Sequence, residues 1–464
     1  MRCATTSGAA VQCRPLLYPR YHRTVLRTAE KAGSVAAVVV GSGLAILSWA
    51  MRTGDLSERV ARDAAAAYTP RPVAVVAATI EPGSFSERVG PLLDQLQQGA
   101  NDEKALPEEA RQLCIKIRKG REPFHRLPRE CASLLDAHRS AVHAALMATH
   151  SQKMDLPRGV RVLDADFWGH ESGSSVPLQY AVKAATFDLW RSMSGYRPVD
   201  DTGIGRGTSP VEWETAINTC LDILAIGRLL SDSGGFVGVM LADASVEVPF
   251  FACAGALNGA PTEEKLRAKG QLLSIRDSLR SFDDALADET VFSELAYARA
   301  AFSAAELSRL PAEGQGLVRA HPSTLAVWQR SLAPLALRHL LRERDSLLAT
   351  ASLPPMERAQ SLKRLGAEAA SSWNPLRREA GFDASQFYSR HRHTVAMLDA
   401  LALGAFAGDF RARHGHWPSP SDISEGIAMK SSDLLETKVD DATFRITVRD
   451  GEREPLSVAF LPGP

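Results

Sequence analysis

The sequence predicts a mainly α protein: an N-terminal transmembrane helix, a multi-helix bundle or helical array behind it, and a small C-terminal β-hairpin. Three observations lead there. Residues 32–51 form an apolar run without a single charge. Between residues 84 and 413 apolar positions recur at helical spacing, which puts about 65% of the chain in helix. Only near the C-terminus, on either side of Asp450-Gly451, do apolar and polar residues alternate as in paired strands.

The apolar run reads KAGSVAAVVVGSGLAILSWAMR with its flanks, Lys31 before it and Arg52 after it. As a helix it rises about 30 Å, enough to cross a bilayer core. The segment before it is long for the n-region of a signal peptide, and no tidy small-residue cleavage site follows Trp49. An uncleaved signal anchor is therefore favoured over a cleaved signal. Upstream, Arg14, Arg20, Arg23, Arg27 and Lys31 outnumber Arg52, Arg59, Arg62 and Arg71 downstream, which keeps the basic N-tail inside and the bulk of the chain outside the cytoplasm. The membrane, reached through residues 32–52, is the first expected partner.

Behind the anchor, residues 56–68 continue as helix until Pro70 and Pro72 stop it. Residues 73–80 are β-branched and read as a strand or an extended linker. Helices follow over 84–98, 106–119 and 128–150, with Pro107 and Pro128 near two of the starts, where a missing N–H costs nothing. Residues 151–175 are a polar, Gly-rich loop, 176–194 a helix, and 195–208 a second loop. Ser209, Pro210 and Glu212 open the next helix with a cap and a first-position proline, and it runs to about Ser231.

Residues 236–257 are apolar again, but Asp243 and Glu247 sit near the middle. Unpartnered charges are costly in lipid, so this stretch reads as a buried core helix kinked at Pro249. Further helices are expected over 262–287, 290–310, 322–350, 355–373 and 384–413. Gly415 suits a left-handed cap and Pro418 forbids continuation, so Trp417 should fold back on the last helix. The segments group as a basic tail (1–31), the anchor (32–52), an N-terminal helical region (53–205), a main helical region (206–420) and a hairpin region (421–464).

Composition narrows the function classes. At 464 residues, 45% apolar and 23% charged, the chain can bury a sizeable core. Net charge is zero, yet residues 1–31 hold six basic residues against Glu30. No basic stripe interleaved with aromatics appears, so nucleic acid is not an expected partner.

Four cysteines follow the anchor, Cys114, Cys131, Cys220 and Cys253, an even number on the side read as oxidising. Each neighbouring pair flanks one helix–turn–helix, which favours 114–131 with 220–253 among three connectivities; four buried thiols are the alternative. The stretch containing Asp164, Asp166, His170 and Glu171 is the best concentration of catalytic residue types, and a metal or acid–base role there would make the protein an envelope hydrolase. Against it, polar loops commonly carry such residues and no second group is identifiable. Gly203 to Thr208 precedes a helix but lacks the strand and lysine of a phosphate loop. His391 and His393 are two apart on a helix and face away from each other; His414 and His416 lie at a helix end. No metal or other cofactor is expected.

Residues 209–310, with LAIGRLLSDSGG, FVGVMLADASVEVPFFA and LRAKGQLLSIRDSLRSF, and the later AMLDALALGAFAGDFRARHGHWPSPSDI, resemble uncharacterised membrane-anchored helical envelope proteins of high-GC bacterial genomes. The H-G-x-W-P end, carried by Arg411, Arg413, Gly415, Trp417 and Pro418, also resembles the helix end of pseudopilins, although a pilin-type processing site is missing. With the anchor and its flanking charges, the chain is read as a single-pass protein of the bacterial inner membrane with most of the chain periplasmic. The resemblance brings no activity, and the chain is read as a binding or scaffold module for an envelope protein or polymer, with the envelope hydrolase as the alternative.

Overall fold

The computed structural model describes residues 40–45, 82–157, 175–193, 198–199, 203–204, 210–290, 333–372, 383–440, 442–450 and 453–461. These residues are mainly helical, 76%, with a small three-stranded antiparallel sheet at the C-terminal end. Of the N-terminal apolar run only residues 40–45 are described; they are helical and exposed. Among the described residues no single helix is long and apolar enough to cross a membrane. The helix expected at 56–68, the strand or linker expected at 73–80 and, beyond residue 290, the helix expected at 290–310 lie outside the described residues.

The first helices are α1 (Phe85–Val89), α2 (Leu93–Ala105), α3 (Glu108–Arg118), α4 (Arg129–Met147) and α5 (Val176–Ser192). Ser84 starts α1 by accepting from the Glu87 N–H, and Asp155 ties that start to the loop after α4 through Ser86. A single 3₁₀ turn with Pro91 joins α1 to α2. Residues 198–199 (β1) and 203–204 (β2) pair as a short antiparallel ribbon inside the stretch expected to be loop.

Next come α6 (Pro210–Ser231), α7 (Gly235–Glu247), α8 (Phe250–Gly259) and α9 (Thr262–Ser278). Pro210 is the first residue of α6, as its missing N–H prescribes. The apolar stretch 236–257 breaks at Pro249 into α7 and α8, bent by 43°. By length and composition the bent pair would pass as a span, yet Phe236, Val239, Val246 and Phe250 are all 5% exposed or less inside the protein. Phe251, also expected in the core, is only half-buried: neighbouring helical residues point about 100° apart, and Phe250 takes the inward direction while Phe251 lies against Gly120.

The single helix expected at 262–287 is two. α9 ends at Ser278, and helix resumes at residue 282. The Arg280 N–H is drawn to the Ser231 hydroxyl at 3.2 Å, and Ser281 caps the new start by accepting from the Asp284 N–H at 3.1 Å. After it come α10 (Ala333–Ala349), α11 (Pro355–Ala370), α12 (Ala384–His414) and α13 (Pro420–Gly426).

The 31-residue α12 is the axis of the molecule. It packs along α9, α7, α8 and α11, while α6 links α7, α8 and α9 to α5. Its middle, Val395 to Ala407, is buried throughout, as a helix surrounded on all sides must be. It ends at Gly415, whose φ of 79° is the left-handed cap that a side chain would strain. Trp417 then turns back, with the Arg411 guanidinium 4.5 Å from its ring.

The expected terminal hairpin is present as β4 (Phe444–Val448) and β5 (Leu456–Phe460), and a third strand, β3 (Leu435–Val439), precedes it. The order is β3-β4-β5, all antiparallel. Phe444, Ile446 and Val448 face the bundle, each 1% exposed or less. Phe460 lies across α12 so closely that a Cβ on Gly404 would sit 2.0 Å from its ring. The principal core therefore runs from Phe85 to Phe460. A smaller core joins Phe236, Phe282, Leu286, Leu362 and Tyr388 where α11 meets α12; Phe236 stacks on Phe387 at 4.1 Å.

Candidate functional site: the Asp243 charge cluster

The densest polar assembly among the described residues is built around Asp243 on α7. Its carboxylate is 1% exposed and faces α12, where Arg390, His393 and Thr394 follow one another at helical spacing and so share one face. The third wall is the turn after β4. There Asp450 accepts from the Arg453 N–H at 2.8 Å, and this local turn aims the guanidinium at α7.

Arg453 meets Asp243 as a two-pronged fork, Nη2 to Oδ2 at 2.8 Å and Nη1 to Oδ1 at 3.2 Å. Arg390 Nη1 donates to Oδ2 at 3.3 Å and the Thr394 hydroxyl to Oδ1 at 3.4 Å. At the rim, Glu247 accepts from Lys119 at 2.9 Å and lies 3.7 Å from Arg453. Burial by itself would raise the Asp243 pKa. The two hydrogen bonds from Arg453, with its charge, outweigh it and hold the carboxyl below its ordinary value.

His393 decides what this cluster can do. Its Nδ1 lies 2.9 Å from Arg453 Nη1 and 3.3 Å from Asp243 Oδ1. One ring nitrogen cannot accept from the first and donate to the second at once. A guanidinium keeps its protons, so the shorter contact makes Nδ1 the acceptor and puts the imidazole proton on Nε2. A general base of the His–Asp type needs the opposite arrangement, Nδ1–H on the carboxylate and a bare Nε2. The cluster is arranged to hold three elements together rather than to move a proton.

Two other buried polar sites have the same character. Arg276 Nη1 donates to Asp399 at 2.5 Å and to the Ala428 carbonyl at 2.6 Å, and Asp399 also accepts the Lys430 and Ser431 N–H groups at 2.8 and 3.0 Å. This ties α9 and α12 to the approach to β3. Near the other end, Arg118 meets Glu103 at 2.8 Å beside a narrow cleft lined by Tyr180, Cys114 and Cys131. Burial raises the Tyr180 pKa, and its hydroxyl has no partner among the described residues. The cleft has room for little more than a water molecule.

The structure bonds Cys114 to Cys131 and Cys220 to Cys253, the local one of the three connectivities, with Cα separations of 6.7 and 5.4 Å. Both lie within the reach of a disulfide. The first joins the last turns of α3 to the first turn of α4; the second joins α6 to α8.

The candidate residues Asp164, Asp166, His170 and Glu171 lie outside the described residues, as do Gly205 to Thr208. His391 points away from His393 toward Phe282, 6.2 Å between rings, where burial and then the Arg358 charge lower its pKa. His414 and His416 gather around Phe410, and His416 Nδ1 bonds the Trp417 carbonyl at 3.0 Å rather than a helix end. Among the described residues no group of three or more His, Cys, Asp and Glu side chains is placed to hold a metal ion. Arg390 and Arg453 carried no sequence signal of their own. The hint lay in Asp243 and Glu247, one helical turn apart in an apolar run, which called for cations from elsewhere.

Comparisons of the chain with known protein families, with curated proteins and with solved structures find no match.

Proposed function

We propose that this chain is a membrane-tethered, extracytoplasmic helical protein that serves as a binding or scaffold module for an envelope protein or polymer. The observation that carries the reading is the pair of disulfides. Each bridges two helices inside the body of the protein, and such bridges persist in oxidising compartments outside the cytoplasm. The apolar run 32–51 behind a basic tail supplies a tether of the right length and orientation. The charge cluster at Asp243 fits the same reading, because its groups are engaged in holding the hairpin turn to the bundle.

Thiol trapping in intact cells tests the address. With a membrane-permeant maleimide of large mass, two of the six cysteines, Cys3 and Cys13, should react before reduction and all six after it. Reaction of all six before reduction overturns the reading. In-cell crosslinking of the full-length chain followed by denaturing purification tests the binding role. The expected result is a reproducible adduct with an envelope component; recovery of the chain alone counts against it.

A further inference from the structure

We infer that the outer edge of β3 pairs with the same edge of a second copy of this chain, antiparallel and centred on Thr437. Among the described residues β3 has a neighbour only on its β4 side, and Thr437, Lys438 and Val439 are exposed. An uncovered strand edge is a template for another strand, and natural edges are commonly guarded by lysine. Here the guard carries its own countercharge.

The ladder fixes which backbone groups are on offer. The Arg449 N–H donates to the Leu434 carbonyl at 2.8 Å, and the Asp440 N–H to the Thr443 carbonyl at 3.0 Å. Residues 434 and 440 thus bond toward β4, and by alternation so do 436 and 438. The N–H and C=O groups of Leu435, Thr437 and Val439 point outward.

A two-fold axis at Thr437 sets Thr437 against its own copy and Leu435 against Val439, so every outward donor meets an outward acceptor. It also sets Glu436 against Lys438 at the non-hydrogen-bonded positions, where side chains approach most closely. Shifting the axis to residue 436 opposes glutamate with glutamate, and shifting it to 438 opposes lysine with lysine. The sequence Leu-Glu-Thr-Lys-Val thus favours one register. On the opposite face of the strand, the pairing covers Val439, one of the most exposed apolar side chains at 55%, with the partner's Leu435. Lys438 sits directly across from Arg445 within its own sheet, and the incoming Glu436 relieves that like-charge contact. Glu436 already bonds Arg449 at 2.7 Å and Lys438 at 3.2 Å, so its carboxylate is held on the face where the partner's lysine arrives.

The test is the oligomeric state of the full-length chain, in a mild detergent, by sedimentation velocity over a concentration series. A dimer whose population grows with concentration is expected. Thr437→Pro removes an outward N–H while leaving the bonds to β4 in place, and should give monomer. Lys438→Glu opposes two carboxylates at each of the two symmetry-related positions and should weaken the dimer about tenfold or more. The double variant Glu436→Lys with Lys438→Glu should restore it, and this charge series decides the matter even where Thr437→Pro fails to fold. A wild-type chain that stays monomeric, or a dimer indifferent to Thr437→Pro and to Lys438→Glu, overturns the inference. Neither result bears on the compartment or tether proposed above.

Discussion

Arg453 Nη2 lies 2.8 Å from Asp243 Oδ2 although 210 residues separate them, and this pair fastens the turn between β4 and β5 to the helices beneath. Asp243 is 1% exposed, whereas the Arg453 side chain keeps 26% of its surface open. Removing the arginine therefore strands the more deeply buried charge. Arg453→Met is expected to cost about 2–4 kcal/mol in urea unfolding. Asp243→Asn should cost less, because Arg453 retains Glu247 and Asp450 as neighbours. The double variant should be milder than the sum of the singles by at least about 1 kcal/mol. Additive losses would show that the two residues do not act as a pair.

Lys265 offers a prediction with the opposite sign. It is 4% exposed between α9 and α12, with its side chain against Gly408. Burial, only partly offset by the Asp409 charge, pulls its pKa down to about 8. Unfolding returns it to about 10.4, so the unfolded chain takes up a proton across that interval and stability rises with pH there. Lys265→Met should stabilise the protein at pH 7 by roughly 1–3 kcal/mol and abolish the rise between about pH 8 and 10. Unfolding midpoints measured across that range would show a persisting rise if another group were responsible.

The two disulfides should not weigh equally. They span 17 and 33 residues. Loop-closure entropy assigns about 3 kcal/mol to Cys114–Cys131 and about 4 kcal/mol to Cys220–Cys253. Replacing Cys220 and Cys253 together by Ala should lower the urea midpoint more than replacing Cys114 and Cys131. The reverse order would mean that packing around α3 and α4, rather than chain entropy, dominates.

Phe250 is fully buried at the start of α8. Phe250→Ala should cost about 3–5 kcal/mol. Phe251→Ala should cost distinctly less, because that ring is only partly buried. Chemical denaturation of both variants separates a helix buried within the protein, which predicts the difference, from one lying on a membrane surface, which does not.

Where local chemistry decides, the sequence was informative. Pro210 and Gly415 mark a helix start and a helix end because a missing N–H and a left-handed φ act within a turn of themselves. Alternation revealed β4 and β5. It did not reveal β3, whose Glu436 and Lys438 give it a mostly polar surface and whose extended form is set by pairing with β4. Nor did it reveal the break after Ser278, since Leu279 and Leu286 keep a helical spacing straight across it. That break depends on Ser231, which arrives from another helix. The Asp243 cluster was half legible: the two carboxylates in an apolar run stood out, but no local rule selects Arg453 from the arginines of the chain.

The long helix at the centre of the molecule has a consequence for the order of synthesis. Residues 384–414, which complete the inner faces of α6 to α9, and Phe444 and Phe460, which close them over, leave the ribosome well after those helices. Until then the earlier helices have no permanent cover for their apolar sides, and such surfaces are what chaperones and proteases recognise. A chain interrupted before Phe460 would leave the groove at Gly404 open. The burial of the early helices thus waits on a strand made some two hundred residues after α6.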